Sequence, residues 1–252
     1  ASNLFVMRKI IFQLFIVTVL VSCNQQEVKE SSYNILNEKD RAILRDEIIE
    51  DRFNNLLPKL MDETNIDMWV VISREYNEDP VIKTMLPSVW LNARRRTILV
   101  FYRDKAKNTI EKLAVARYDV GKNIKSAWNK EEEPNQWKAL NRIIEERNPT
   151  KIGVNISKHF ALADGLVKTD HDEFLENLSK ANQKKVVSAE KLAIGWIETR
   201  TPKEMELFEN LVKITHDIID EAFTNNVIKP GETTTEDVVW WMRQKVTDLG
   251  LA

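Results

Sequence analysis

Three features of the sequence predict an α/β fold. Apolar runs of strand length alternate with stretches whose apolar residues recur at helical spacing. Polar turn residues separate them. The last third changes character, with two strong helix starts and no strand signal. The expected organisation is one compact α/β domain over residues 33–190. The first two helices of a second domain follow over 193–252. That domain is expected to be incomplete, because two helices with such wide apolar faces cannot close a core alone.

The N-terminus reads as an address. Residues 1–6 precede Met7 and form an upstream extension. Arg8 and Lys9 then lead into the apolar run 10–21, broken only by Gln13 and Thr18. Ser22 and Cys23 follow, and polar sequence begins at once. This order is that of a secretory signal peptide over 7–22. The run is shorter than the roughly 20 apolar residues a membrane-spanning helix needs. Leu20-Val21-Ser22-Cys23 resembles the bacterial lipobox, which implies lipid attachment at Cys23. Residues 23–32 are then a polar tether. The implied location is the cell envelope of a Gram-negative-type bacterium, lipid-anchored, either periplasm-facing or in the outer membrane, with Asn24 in favour of the latter.

Asn37 can cap a helix with Asp40 three residues on, and apolar Phe53, Leu56, Leu57, Leu60 and Met61 continue it to about Thr64. Residues 65–67 break it. The run MWVVI at 68–72 suits a strand buried on both faces. Residues 73–87 read as irregular, or as holding a short helix after Pro80. TILVFY at 97–102 is a second strand and 113–118 a third, with a turn at 104–108. Glu133-Pro134 is expected to open a helix through about Arg147. A strand at 151–156, a helix near 172–180 and a short strand at 185–187 complete the domain. Thr201, Pro202 and Glu204 then give a helix start with a capping box. After the turn at 228–231, Thr233 with Glu236 reads as a second capping box, and Gly250 can end that helix.

Of 252 residues, 43% are apolar, enough for one large core or two modest ones. There are 37 basic and 39 acidic residues, and a net charge of −2 gives no general pull toward nucleic acid or anionic lipid. The single cysteine rules out an internal disulfide and a Cys-rich metal site. His159, His171 and His216 lack a second ligand at metal spacing, and Asp237 and Asp248 read as solvated surface. Arg94, Arg95 and Arg96 precede a strand close to Trp90. A basic, aromatic loop end there reads as a solvated loop or a subunit contact, or else lines a substrate entrance and meets a peptide carboxylate, so Trp90, Arg94 and Arg95 are candidates. Trp240-Trp241 occupies two helix faces, and at least one ring is expected in a core. Residues 130–133 (KEEE) read as a solvated loop.

Residues 197–251 resemble the start of the pita-bread metallopeptidase domain, the family of aminopeptidase P, prolidase and creatinase. The resemblance runs through Glu198-Thr199-Arg200-Thr201-Pro202-Lys203-Glu204-Met205-Glu206, a long helix, and Ile228-Lys229-Pro230-Gly231-Glu232-Thr233-Thr234-Thr235-Glu236-Asp237-Val238. No single piece is specific; the ordered set is. Residues 33–190 look like the creatinase-type N-terminal domain, a mixed sheet flanked by helices. In it, 68–73 would be the first strand, 97–102 the second, and 188–192 the lead-out. The resemblance covers nearly all of the chain after the tether.

It implies the N-terminal part of an exported Xaa-Pro aminopeptidase that acts on peptides and pairs as a homodimer. Two divalent metal ions, of Mn, Zn, Co or Fe, would be held by two Asp, one His and two Glu. Those ligands are expected downstream, so no catalytic or metal residue is assigned in this chain, and the fragment alone is expected to be inactive. Nucleic acid is not an expected partner. A prolidase-type dipeptidase and a non-catalytic lipid-anchored binding protein on the same scaffold are the alternatives. A solute-binding α/β lipoprotein is disfavoured, because it would need a pocket between two complete domains.

Overall fold

The computed structural model describes residues 33–251, so the expected signal segment, Cys23 and the tether lie outside the described residues. Helix α1 (Glu38–Asp51) starts at Asn37, whose side chain accepts from the Asp40 backbone N–H at 3.0 Å. It runs through a five-residue π-helical segment (Arg52–Leu56) into α2 (Leu57–Thr64). Pro58 has no N–H to give the preceding turn, and a widened turn absorbs that defect. Asn65 ends α2 in the left-handed conformation, φ 52°.

Strand β1 (Met68–Arg74) follows and sits inside a six-stranded mixed sheet. Its partners are β2 (Arg96–Asp104), antiparallel, and β5 (Ile152–Val154), parallel. Beyond β2 come β3 (Thr109–Val115) and the two-residue β4 (Lys125–Ser126), and beyond β5 comes β6 (Val186–Ser188). The order is β4-β3-β2-β1-β5-β6. Strand β3 begins four residues before the expected third strand, because hairpin pairing with β2 runs out to Asp104 opposite Thr109. Strand β4 carries no sequence signal, since pairing with Leu113 and Ala114 alone defines it.

The alternation of β1 divides two cores. Trp69 and Val71 join Phe53, Phe101 and Trp196 on one face, while Met68, Val70 and Ile72 join Ile143 and Phe174 on the other. The first face is covered by α1, α2 and α7 (Glu190–Glu198). Helix α7 begins within the expected lead-out at 188–192, whose first residue Ser188 ends β6, and places Leu192, Ala193 and Trp196 in the first core. The second face is covered by α4 (Gln136–Arg147) and α5 (Lys168–Asn177). Helix α4 begins at Gln136, not at Glu133-Pro134. The Asn135 side chain caps it, accepting from Trp137 and Lys138, while Trp128 Nε1 donates to the Glu133 carbonyl at 2.6 Å and holds that stretch as loop. Short helices α3 (Pro80–Lys83) and α6 (Lys180–Gln183) fill the connections.

Helix α8 (Pro202–Ala222) starts with the expected Thr201–Glu204 capping box. Helix α9 (Thr235–Asp248) also starts with a capping box, but it is formed by Thr234 and Asp237. The expected Thr233–Glu236 box is one residue out of register. The Thr233 hydroxyl instead accepts from the Lys229 N–H at 2.8 Å and closes the preceding turn. Both helices leave apolar side chains in solvent, including Phe208, Leu211, Phe223 and Trp240. Trp241 is half-buried, so neither tryptophan of the pair is fully in a core.

Candidate functional site

The ends of β1, β2 and β3 come together at one rim of the sheet and open a cleft of about 510 Å³. Five arginines line it: Arg74, Arg94, Arg95, Arg96 and Arg117. They divide into two chemical classes.

Arg74 and Arg96 face each other across the β1–β2 register. Arg74 grips the fully buried Asp170 bidentately, with Nε–Oδ2 at 2.9 Å and Nη2–Oδ1 at 2.7 Å. Arg96 reaches Glu173 at 2.7 Å and Asp170 at 3.3 Å, and its guanidinium lies 4.3 Å from the Trp137 ring centre. The Trp137 indole N–H and then Arg96 hold the Glu173 carboxyl below its usual range. These two cations are neutralised, and they bolt the strand ends to α4 and α5.

Arg94, Arg95 and Arg117 make no ion pair among the described residues. Arg94 lies over Trp90 at 4.4 Å and over Tyr118 at 5.2 Å, and the two rings meet edge to face at 5.6 Å. Arg95 sits at φ 53° and Tyr76, opposite, at φ 65°. Both conformations are costly for non-glycine residues. They are held by Glu75 and Glu78, whose carboxylates accept from the Arg95 N–H (3.0 Å) and the Tyr76 N–H (3.1 Å). The rim is thus a fixed turn. Such an arrangement can bind an anion against aromatic surface.

The structure brings the candidates Trp90, Arg94 and Arg95 to one place. It adds Tyr76, Arg117, Tyr118 and Trp128, which sequence spacing could not supply, since they arrive from three separate segments. Adjoining Trp128, a second hollow is lined by Lys130, Glu131, Glu132, Glu133 and Arg142.

Among the described residues, no three His, Cys, Asp or Glu side chains come together to hold an ion. Asp237 serves the α9 cap, accepting from the Thr234 N–H at 2.8 Å. The described residues therefore do not fit a two-metal centre, and no catalytic step is assigned to them.

No protein-family model matches the chain, and no curated protein matches it. Among solved structures it is similar to an Xaa-Pro dipeptidase from Bacillus anthracis, with 14% identity and a TM-score of 0.44, covering 81% of this chain. It is also similar to the prolidase from Pyrococcus horikoshii OT3, with 14% identity and a TM-score of 0.40, covering 79% of this chain. The chain spans 49% of the length of each. Similarity at this level assigns the chain neither a fold family nor an activity.

Proposed function

We propose that the chain is the N-terminal portion of an exported, lipid-anchored metallo-aminopeptidase that releases N-terminal residues before proline. The observation that carries this reading is the ordered run from Glu198 to Val238, where two helices begin in capping boxes around a Pro-Gly turn. The exposed apolar stripes of α8 and α9 support it, because they need a further layer to cover them. In the intact enzyme two divalent metal ions would activate a water against the peptide carbonyl. The described residues would supply the scaffold, and the ligands are proposed to lie downstream. The intact protein is proposed to pair as a homodimer.

The test is to express the full reading frame and assay it on Xaa-Pro peptides with and without a chelator. Metal-dependent release of the first residue is expected, with none from residues 1–252 alone. Activity confined to dipeptides would instead mark a prolidase-type dipeptidase. Absence of metal-dependent hydrolysis from the intact protein would sink the peptidase reading and leave a binding lipoprotein on the same scaffold.

A further inference from the structure

The loop between α3 and β2 is built in an unusual sense for a soluble surface. Trp90 turns inward onto Arg94 and Tyr118, while its neighbours Val89 and Leu91 are 81% and 93% exposed. Across the cleft, Tyr76 is 81% exposed. The loop is held in place: the Ser88 N–H donates to Asp46 Oδ1 at 2.8 Å and the Trp90 N–H to the Pro87 carbonyl at 2.8 Å. Beside these apolar tips stand the guanidinium groups of Arg94, Arg95 and Arg117, which have no carboxylate partner among the described residues. The one acid lining the cleft, Glu75, is engaged by the Arg95 N–H.

We propose that this rim docks on an anionic phospholipid bilayer, with Val89, Leu91 and Tyr76 entering the interface and the arginine cleft taking a lipid phosphate. Apolar tips flanked by cations are the chemistry of interfacial binding. Each basic residue close to an anionic surface adds to the attraction. The whole chain's net charge of −2 gives no such pull, so the attraction is local to this rim. The acidic residues Glu131–Glu133 line the hollow that adjoins Trp128, with Lys130, Arg142 and Arg117 among them.

Chain length supports the same occupant. The described fold begins at Tyr33, ten residues after Cys23. Extended, ten residues reach roughly 33 Å. From Glu38 to Asp46, the residue that holds the loop, α1 covers only about 12 Å. A lipid on Cys23 and the Val89–Leu91 tips can therefore meet one bilayer. The reach to the bilayer rests on Cys23 as the anchor point; the chemistry of the rim does not, and neither depends on the peptidase reading.

The experiment couples the full chain through the Cys23 thiol to maleimide-headgroup lipid in phosphatidylcholine vesicles, with or without phosphatidylglycerol. Amide hydrogen exchange is then followed in segment 88–92 and, as reference, in α4. Exchange in 88–92 is expected to slow several-fold on the anionic vesicles only. The effect should vanish in Leu91→Asp, a change at an exposed tip, and in the pair Arg95→Glu with Arg117→Glu. Equal exchange on both vesicle types overturns the proposal. So does slowing that follows protein density on neutral vesicles, which would identify a second copy as the occupant. Slowing by inorganic phosphate without vesicles would identify a small-anion site and overturn it as well. The mass of the Cys23 peptide from bacterial cells reports the natural anchor separately: an unmodified thiol rejects the anchor and leaves the vesicle result to judge the rim.

Discussion

Arg52 Nη1 lies 2.6 Å from Glu204 Oε2, joining the π-helical segment of the first helix to the capping box of α8. The same guanidinium donates to the Thr199 and Trp196 carbonyls and lies 4.6 Å from the Trp196 ring centre. Glu204 in turn accepts from the Thr201 N–H at 2.8 Å. One buried cation thus satisfies the C-terminal end of α7 and fixes the start of α8. Replacing it removes the counter-cation of Glu204 and the side-chain donor to two carbonyls. Arg52→Met is expected to cost about 3 kcal/mol, the range for breaking a buried pair. A urea titration that shows Arg52→Met no less stable than Glu204→Gln would contradict this.

Gly165 permits a close approach that no other residue allows. A Cβ there would fall 2.2 Å from Asp79 Oδ2 and 2.9 Å from the Asp79 backbone. Asp79 cannot retreat, because Oδ1 accepts from the Val81 and Ile82 N–H groups and Oδ2 from Asn155 Nδ2. Gly165→Ala is expected to destabilise by about 1–3 kcal/mol through overpacking. Thermal unfolding checks it, and an unchanged midpoint would count against the packing described.

Burial raises the Asp79 carboxyl above its ordinary 3.8, against the three hydrogen bonds it accepts. A raised folded value means the native state holds this proton more tightly than the unfolded chain does. Its contribution is therefore favourable at low pH and is lost as pH rises from about 3.8 through the folded value. The stability difference between the protein and Asp79→Asn should shift against the wild type as pH rises across that window. Urea midpoints of both proteins from acid to neutral pH measure it, and a flat or rising difference would refute the assignment.

Helices α8 and α9 bury few side chains for their length: Ile214, Ile218 and Ala222 in one, Val238 in the other. Local opening is easiest where little apolar surface is buried. Limited proteolysis of the chain is expected to cut within residues 200–251 first and to leave a resistant product reaching through α7. Early cleavage inside β1 or β2 would reverse that order.

The sheet's centre was legible because five consecutive apolar residues at 68–72 suit a strand covered on both faces, and β1 has that burial. The α8 start was legible because Thr201, Pro202 and Glu204 are local signals of one cap. The second cap was misread by one residue. Three consecutive threonines offer equal hydroxyls, and only the Lys229–Thr233 turn bond selects Thr234. Of the cleft, the Trp90–Arg96 stretch could be read as basic and aromatic. The Asp170 that neutralises Arg74 lies 96 residues away, so sequence gave no way to separate the paired arginines from the unpaired ones.

The position of Trp196 bears on the order of folding. Its ring packs against Phe53 at 5.4 Å and Trp69 at 6.5 Å, and its indole N–H donates to Thr84 at 2.7 Å. The meander β1–β2–β3 pairs nearby segments and needs only the first 115 residues. Helices α1 and α2 are available to cover its aromatic face early, but the Trp196 contacts wait until residue 196 has been made or threaded through. Closure over so long a sequence separation is slow compared with the hairpins it completes. A nascent chain therefore carries Phe53, Trp69 and Phe101 without their Trp196 contact until α7 has been made.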